Sequence, residues 1–194
     1  MKELIVNELF HSIQGEGRRA GEASIFIRLT GCDLACSFCD TEFTSGKSMN
    51  PEELLRYITR WPCRWIVWTG GEPAIQLTDA HVAFFKQAGY RQAIETNGNH
   101  PAPNGLDWVC CSPKVAEHVV KRHFPHGVNE LRYVRHAGQL AVPEPEITAE
   151  HYYLSPRFDG DRPNPANLTH CINLCLENPT WKLSLQSHKI LKVL

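Results

Sequence analysis

Cys32, Cys36 and Cys39 fall within eight positions of the stretch GCDLACSFCDT, residues 31–41. Thiolates this close together predict a metal centre. One reading is zinc, completed by a distant fourth ligand such as His11 or His100; another is a 4Fe–4S cluster held at three of its irons. Zinc sites more often use paired CxxC knuckles, so the spacing favours the cluster. Such clusters normally take four cysteines, and an iron without a protein ligand makes sense where a substrate or cofactor must coordinate it. Three inert, buried thiols are the plain alternative.

Other stretches carry weaker signals. Gly70–Gly71 in TGGEP (69–73) reads as a tight turn, and Gln14–Gly17 (QGEG) as a flexible loop. Arg28 offers a planar fork suited to a carboxylate. Asp40–Thr41 reads first as a turn cap. Cys175 falls on an expected apolar helical stripe with Leu168, Ile172 and Leu176, so Cys171 and Cys175 read as structural thiols and no second cluster is expected. Cys110 and Cys111, adjacent in a strand, point to opposite faces, and Cys63 has no visible partner.

The elements that must position these residues alternate between strand and helix. Strands are expected at 4–10, 24–30, 64–69, 91–96, 107–112, 129–134, 151–155 and 181–186. Asn50-Pro51-Glu52-Glu53 is a helix start with Asn as cap and Pro in the first turn. Thr78 opens a second helix, which Gly89 stops. Further helices are expected around 115–123 and through Leu168–Leu176. This pattern implies βαβ units and a parallel sheet. About six units are too few for a closed eight-stranded barrel, so an α/β fold with a partial, open parallel barrel is expected. TGC, TGGEP, ETNG, CSPK and LSP all sit at expected strand ends, where parallel α/β folds gather their chemistry.

The 194 residues suffice for one domain with a substantial core. VPEPEITAEH (142–151) reads as a surface connection within it. The formal net charge of −1 gives no sign of a polyanion-binding face, so direct nucleic-acid binding is not expected. No secretion signal and no membrane-length apolar run is visible. Together with eight cysteines, three of them clustered near the N-terminus, this leads us to expect a cytoplasmic protein whose thiols stay reduced.

Cys32-x-x-x-Cys36-x-Phe38-Cys39 resembles the signature of radical S-adenosylmethionine enzymes, and the TGGEP segment is similar to their cofactor-binding element. The resemblance implies that S-adenosylmethionine chelates the free iron and is cleaved to a 5′-deoxyadenosyl radical that abstracts hydrogen from substrate. SIQGEG with Arg28, CSFCDT, TGGEP, ETNG, SPK and SLQSHK narrow the likeness, along nearly the whole chain, to the 7-carboxy-7-deazaguanine synthase family. That family makes the deazaguanine core used in queuosine. The resemblance implies a lyase acting on 6-carboxy-5,6,7,8-tetrahydropterin, with ring contraction, loss of ammonia and regeneration of S-adenosylmethionine.

By the same resemblance, Ile13, Gln14, Gly15, Glu16, Arg28, Thr69, His188 and the Leu194 carboxylate would contact substrate. Phe38, Cys39, Asp40, Gly71, Glu72, Ser112, Pro113, Lys114, Ser155 and Pro156 would contact S-adenosylmethionine, and Thr41 would ligate Mg²⁺. Two departures stand out: LSPRFDG where the family would have a segment closer to LQP, and Leu194 as final residue where proline can stand. The resemblance also implies one radical SAM domain over 1–194, with the cluster loop at 31–41 and a tail at 187–194 closing on the site. A homodimer and a low-potential electron donor such as a flavodoxin follow from it as well, with no membrane partner. A glycyl-radical-enzyme activase would share the cysteine loop but act on a protein backbone. A zinc-binding interaction module would leave TGGEP without a purpose.

Overall fold

The computed structural model describes residues 1–37, 39 and 41–193. A nine-stranded sheet runs in the order β11-β8-β7-β6-β5-β4-β2-β1-β3. Its members are β1 (Leu4–Ile13), β2 (Ala23–Leu29), β3 (Lys47–Met49), β4 (Trp65–Gly70), β5 (Arg91–Thr96), β6 (Trp108–Cys111), β7 (Val128–Arg135), β8 (Ala149–Pro156) and β11 (Trp181–Leu183). Six parallel pairings link β2 through β11, while β1 and β3 add antiparallel strands at one edge. The two edges, β3 and β11, do not pair, so the barrel is partial and open. A short ribbon of β9 (Phe158–Asp159) and β10 (Arg162–Pro163) stands apart.

Helices α1 (Pro51–Ile58), α2 (Asp79–Gln87), α3 (Glu117–His123) and α4 (Pro165–Glu177) occupy four of the crossovers. Those between β5 and β6 and between β7 and β8 carry no α-helix among the described residues. HPAPNG and VPEPE lie there, and proline removes donors and clashes with a preceding helical turn. The expected helix starts are present: the Asn50 side chain accepts from Glu53 N at 2.8 Å, and Thr78 forms a capping box with His81.

Leu4, Ile25, Ile27, Ile66, Trp68 and Ile94 pack the outer face of the sheet against Leu54, Ile58, Val82 and Phe85 of α1 and α2. Leu131, Leu154 and Trp181 do the same with Val120, Cys171 and Leu174 of α3 and α4. The helical stripe assigned to α4 from sequence needs correction. Asn167, Cys171 and Leu174 are the buried residues, while Ile172 and Leu176 face outward. Several apolar side chains on a short helix permit more than one stripe, and packing on β8 and β11 selects among them. The last strand also ends at Leu183, three residues early. Ser187–Leu191 then form a short helix, α5.

Inside the half-barrel, Phe10, Phe26, Val67 and Ala93, flanked by Trp65 and Trp108, form an apolar floor. A bulge between Val6 and Glu8 makes that inner surface possible. Val6 pairs with Leu29 on the outer face, yet Glu8, two residues on, pairs with Arg28 and Phe10 with Phe26, both turned inward. One extra residue reverses which face the even positions take. Above the floor, at the C-terminal strand ends, the lining becomes polar.

Candidate active site

The backbone of TGGEP is joined to the start of the cysteine loop. Gly71 N donates to Leu29 O at 3.0 Å and Glu72 N to Gly31 O at 2.8 Å. A methyl group on Gly70 would stand 2.1 Å from Leu29 O, and one on Gly71 1.9 Å from Gly31 O. Gly70 also has φ +123, a region costly for other residues. Both glycines are therefore required by close approach.

Glu72, expected as a cofactor contact, is fully buried behind this junction and lines neither of the two cavities above the strand ends. Its carboxylate accepts from Ala74 N, Thr96 Oγ1 and Asn97 N at 3.0, 2.9 and 2.7 Å. Burial raises its pKa, against those hydrogen bonds. The short spacing after Gly71 directs this side chain into the wall, where it fixes the ETNG turn. Asn97 in turn donates to Asp33 Oδ1 at 3.2 Å, and His100 Nε2 lies 2.9 Å from Asp33 Oδ2. The cysteine loop is thus clasped to the turn after β5.

Two adjoining cavities open above the polar strand ends. The first, of about 540 Å³, is lined by Cys32, Cys36, Cys39, Gly71, Ser112, Lys114, Ser155 and Pro156, joined by Asn97, Arg157 and Phe158. Pro113 is not among its lining residues. Lys114 Nζ donates to Ser112 O at 3.1 Å and to Ser112 Oγ at 2.6 Å; burial, then the nearby Arg132, lowers its pKa. The second cavity, of about 420 Å³, is lined by Ile13, Gln14, Gly15, Glu16, Arg28, Thr41, Thr69 and His188, with Asn7, Glu8, Glu42 and Glu95. Arg28 and Thr69 are register partners on β2 and β4. Arg28 Nε is already engaged, donating to Glu8 Oε2 at 3.1 Å. Glu16, Arg132, Gln186 and Lys189 line both cavities. Phe38, Asp40 and Leu194 lie outside the described residues.

The residues that fit a cluster are the three thiols. All eight cysteines are free, Cys32, Cys36 and Cys39 sit on one wall, and burial raises the Cys32 thiol pKa. Among the described residues no group of three His, Cys, Asp or Glu side chains is drawn close enough together to hold a single metal ion. Of the histidines considered as a fourth zinc ligand, His11 stacks on Trp61 at 5.7 Å and His100 Nε2 lies 2.9 Å from Asp33 Oδ2; neither lines the thiol cavity.

Sequence reasoning missed Glu95 and Arg132. Arg132 is 6% exposed, yet pairs with Glu95, with Glu130 at 3.1 Å and with Glu16 at 3.7 Å. Glu95 also accepts from Gln14 Nε2 at 3.0 Å. The signal available was charge inside buried-type strands: RQAIET and NELRYV place ionisable residues where parallel strands are usually apolar.

Fold, thiol triad and paired cavities define a radical SAM enzyme, and residues 26–132 match the model of the Radical SAM superfamily. A 7-carboxy-7-deazaguanine synthase of Bacteroides thetaiotaomicron is 37% identical, over 97% of this chain and 97% of the relative. That of Caulobacter vibrioides is 38% identical, over 96% and 97%. The crystal structure of QueE from Escherichia coli superposes with a TM-score of 0.74 at 26% identity, covering 96% of this chain and 95% of that one. The chain belongs to the 7-carboxy-7-deazaguanine synthase family of the radical SAM superfamily. Membership implies a 4Fe–4S cluster and S-adenosylmethionine as cofactors.

Proposed function

We propose that the protein converts 6-carboxy-5,6,7,8-tetrahydropterin to 7-carboxy-7-deazaguanine with loss of ammonia, a step toward queuosine. The observation that carries this reading is the shared wall: the cavity lined by the three thiols adjoins the one lined by Gln14, Glu16, Arg28 and Thr69. Bound cluster and S-adenosylmethionine supply one-electron chemistry that removes a substrate hydrogen.

The chain's own residues do the rest. Cys32, Cys36 and Cys39 would hold the cluster. Gly71, Ser112, Lys114, Ser155 and Pro156 would surround S-adenosylmethionine, and the family likeness assigns Phe38 and Asp40 to the same cofactor. The backbone and side chains from Ile13 to Glu16 receive the edge of the heterocycle, and Thr69 lies beside it. Arg28 binds the substrate carboxylate with the guanidinium edge that Glu8 leaves over. Thr41 presents a hydroxyl to Mg²⁺, a hard cation whose remaining sites suit water and substrate oxygens. α5 closes the second cavity: Ser187 N and Oγ donate to Gly15 O at 3.0 and 2.7 Å, which brings His188 over the site. The family likeness assigns the Leu194 carboxylate to the substrate as well. Residues 1–194 act as one domain.

A low-potential donor such as a flavodoxin delivers the electron, and the active form is a homodimer in the cytoplasm. No described helix is long and apolar enough to cross a membrane. The test is anaerobic reconstitution with iron and sulfide, reduction, and incubation with S-adenosylmethionine and the pterin, with and without Mg²⁺. The expected product is the deazaguanine carboxylic acid without net loss of S-adenosylmethionine. Cofactor cleavage without that product would refute the substrate.

A further inference from the structure

Arg132 on β7 stands where the two cavities meet and lines both. Its guanidinium meets three carboxylates carried by three parts of the chain: Glu16 after β1, Glu95 on β5 and Glu130 on β7 itself. A rigid planar fork spreads its donors over three nitrogens in fixed directions, whereas an ammonium's three rotatable donors share one compact nitrogen. Each carboxylate then reaches a different structure. Glu95 accepts from Gln14 Nε2 at 3.0 Å, on the second cavity's wall. Glu16 accepts from Ser155 Oγ at 3.4 Å, on the first cavity's wall. Glu130 accepts from Arg18 N at 3.0 Å, and a methyl on Gly17 would stand 1.9 Å from its Oε1, so the loop carrying Gln14 and Glu16 rests on it.

This arrangement is poorly explained by stability alone. Burying one guanidinium among three carboxylates carries a large desolvation cost, and apolar packing of the same volume often serves a fold as well or better. What the network does uniquely is fix the distance between the wall bearing Gln14 and Glu95 and the wall bearing Ser155.

We infer that Arg132 is a positioning residue that holds the substrate cavity in register with the cofactor cavity and so keeps hydrogen abstraction coupled to cofactor cleavage. The inference rests on the function proposed above. Hydrogen transfer between two separately bound molecules depends on near-contact geometry, and a displacement of about 1 Å can cost on the order of a hundredfold. Arg132→Lys keeps the positive charge but loses the fork.

The experiment compares wild-type and Arg132→Lys holoenzymes matched for iron content. It measures 5′-deoxyadenosine released per deazaguanine product formed. It also follows binding of 6-carboxypterin, a fluorescent substrate analogue, to the cluster-free protein. In Arg132→Lys, the ratio should rise on the order of tenfold or more and analogue binding weaken on a similar scale. Glu130→Gln, which loosens the support while leaving Arg132 in place, should shift both in the same direction by less. If both products fall together with the ratio unchanged, Arg132 only stabilises the fold and the inference fails. Wild-type analogue affinity in Arg132→Lys would overturn it too, as would failure of both variants to fold. A wild-type holoenzyme that binds the analogue yet forms no product would instead sink the functional reading, before any variant is compared.

Discussion

Gly15 and His188, 173 positions apart in sequence, are in contact: a methyl group at Gly15 would stand 2.0 Å from His188 Nδ1. The absent side chain is what lets α5 lie across the second cavity, with Ser187 fastened to Gly15 O. Gly15→Ala should push His188 aside, raising the KM for substrate roughly tenfold with little loss of thermal stability. The cycle with His188→Ala checks the cause. Two residues in contact should be non-additive, so the double variant should be about as impaired as His188→Ala alone. Additive losses would place the effect of Gly15 elsewhere.

Gly71 makes a sharper prediction. A Cβ at 1.9 Å from Gly31 O has only backbone to push against, so Gly71→Ala must separate TGGEP from the start of the cysteine loop. Iron retained after reconstitution should fall severalfold, as should the visible absorbance of the cluster. Asn50→Ala makes a control of opposite kind. It removes an exposed cap, costing about 1 kcal/mol in denaturant unfolding while iron content and turnover stay at wild-type levels.

Burial raises the Glu95 pKa, with Arg132 opposing. A carboxyl that holds its proton more tightly in the folded state than in the unfolded chain binds more protons when native. Its contribution to stability is then lost as pH rises above the unfolded value of about 4.3. Glu95→Gln cannot titrate there. Unfolding midpoints should therefore shift in favour of Glu95→Gln relative to wild type as pH rises from the unfolded value toward neutrality. A pH-independent difference would show that Glu95 titrates alike in both states.

The cysteines should separate by reactivity. Burial pushes the Cys171 thiol up to about 11 and places Cys110 and Cys111 higher still, and all three are buried. Cys39 is exposed. Thiolate is the reactive form, so maleimide at pH 7.5 should label Cys39 in the native cluster-free protein. It should leave Cys110, Cys111 and Cys171 unmodified until denaturant is added, as read by peptide mass spectrometry. Iron reconstitution should then protect Cys39.

Much of the molecule was legible from residue order, because its signals are local. Strand and helix alternate by hydrophobic period, and Asn50 and Thr78 cap the helices by side chains within one turn. The cysteine spacing, TGGEP and SIQGEG marked the site, and all but a few of the residues they named line the two cavities. The exceptions are instructive: Glu72 and Pro113 follow Gly71 and Ser112 directly, but adjacency does not decide which way a side chain turns, and Glu72 turns into the wall.

What only the tertiary structure decided depends on contacts between distant segments. The bulge between Val6 and Glu8 arises because Leu4 and Val6 pack on the outer core while Phe10 belongs to the inner floor; no local pattern reveals a strand that changes faces midway. That change sets Glu8 beside Arg28 in the second cavity. The α4 stripe was chosen by β8 and β11, not by the helix's own periodicity. Arg132 draws together Glu16, Glu95 and Glu130, whose charges are intelligible only once the sheet brings β5, β7 and the loop after β1 side by side. Burial then makes that pairing obligatory, since a guanidinium removed from water must find its counter-charges within the fold.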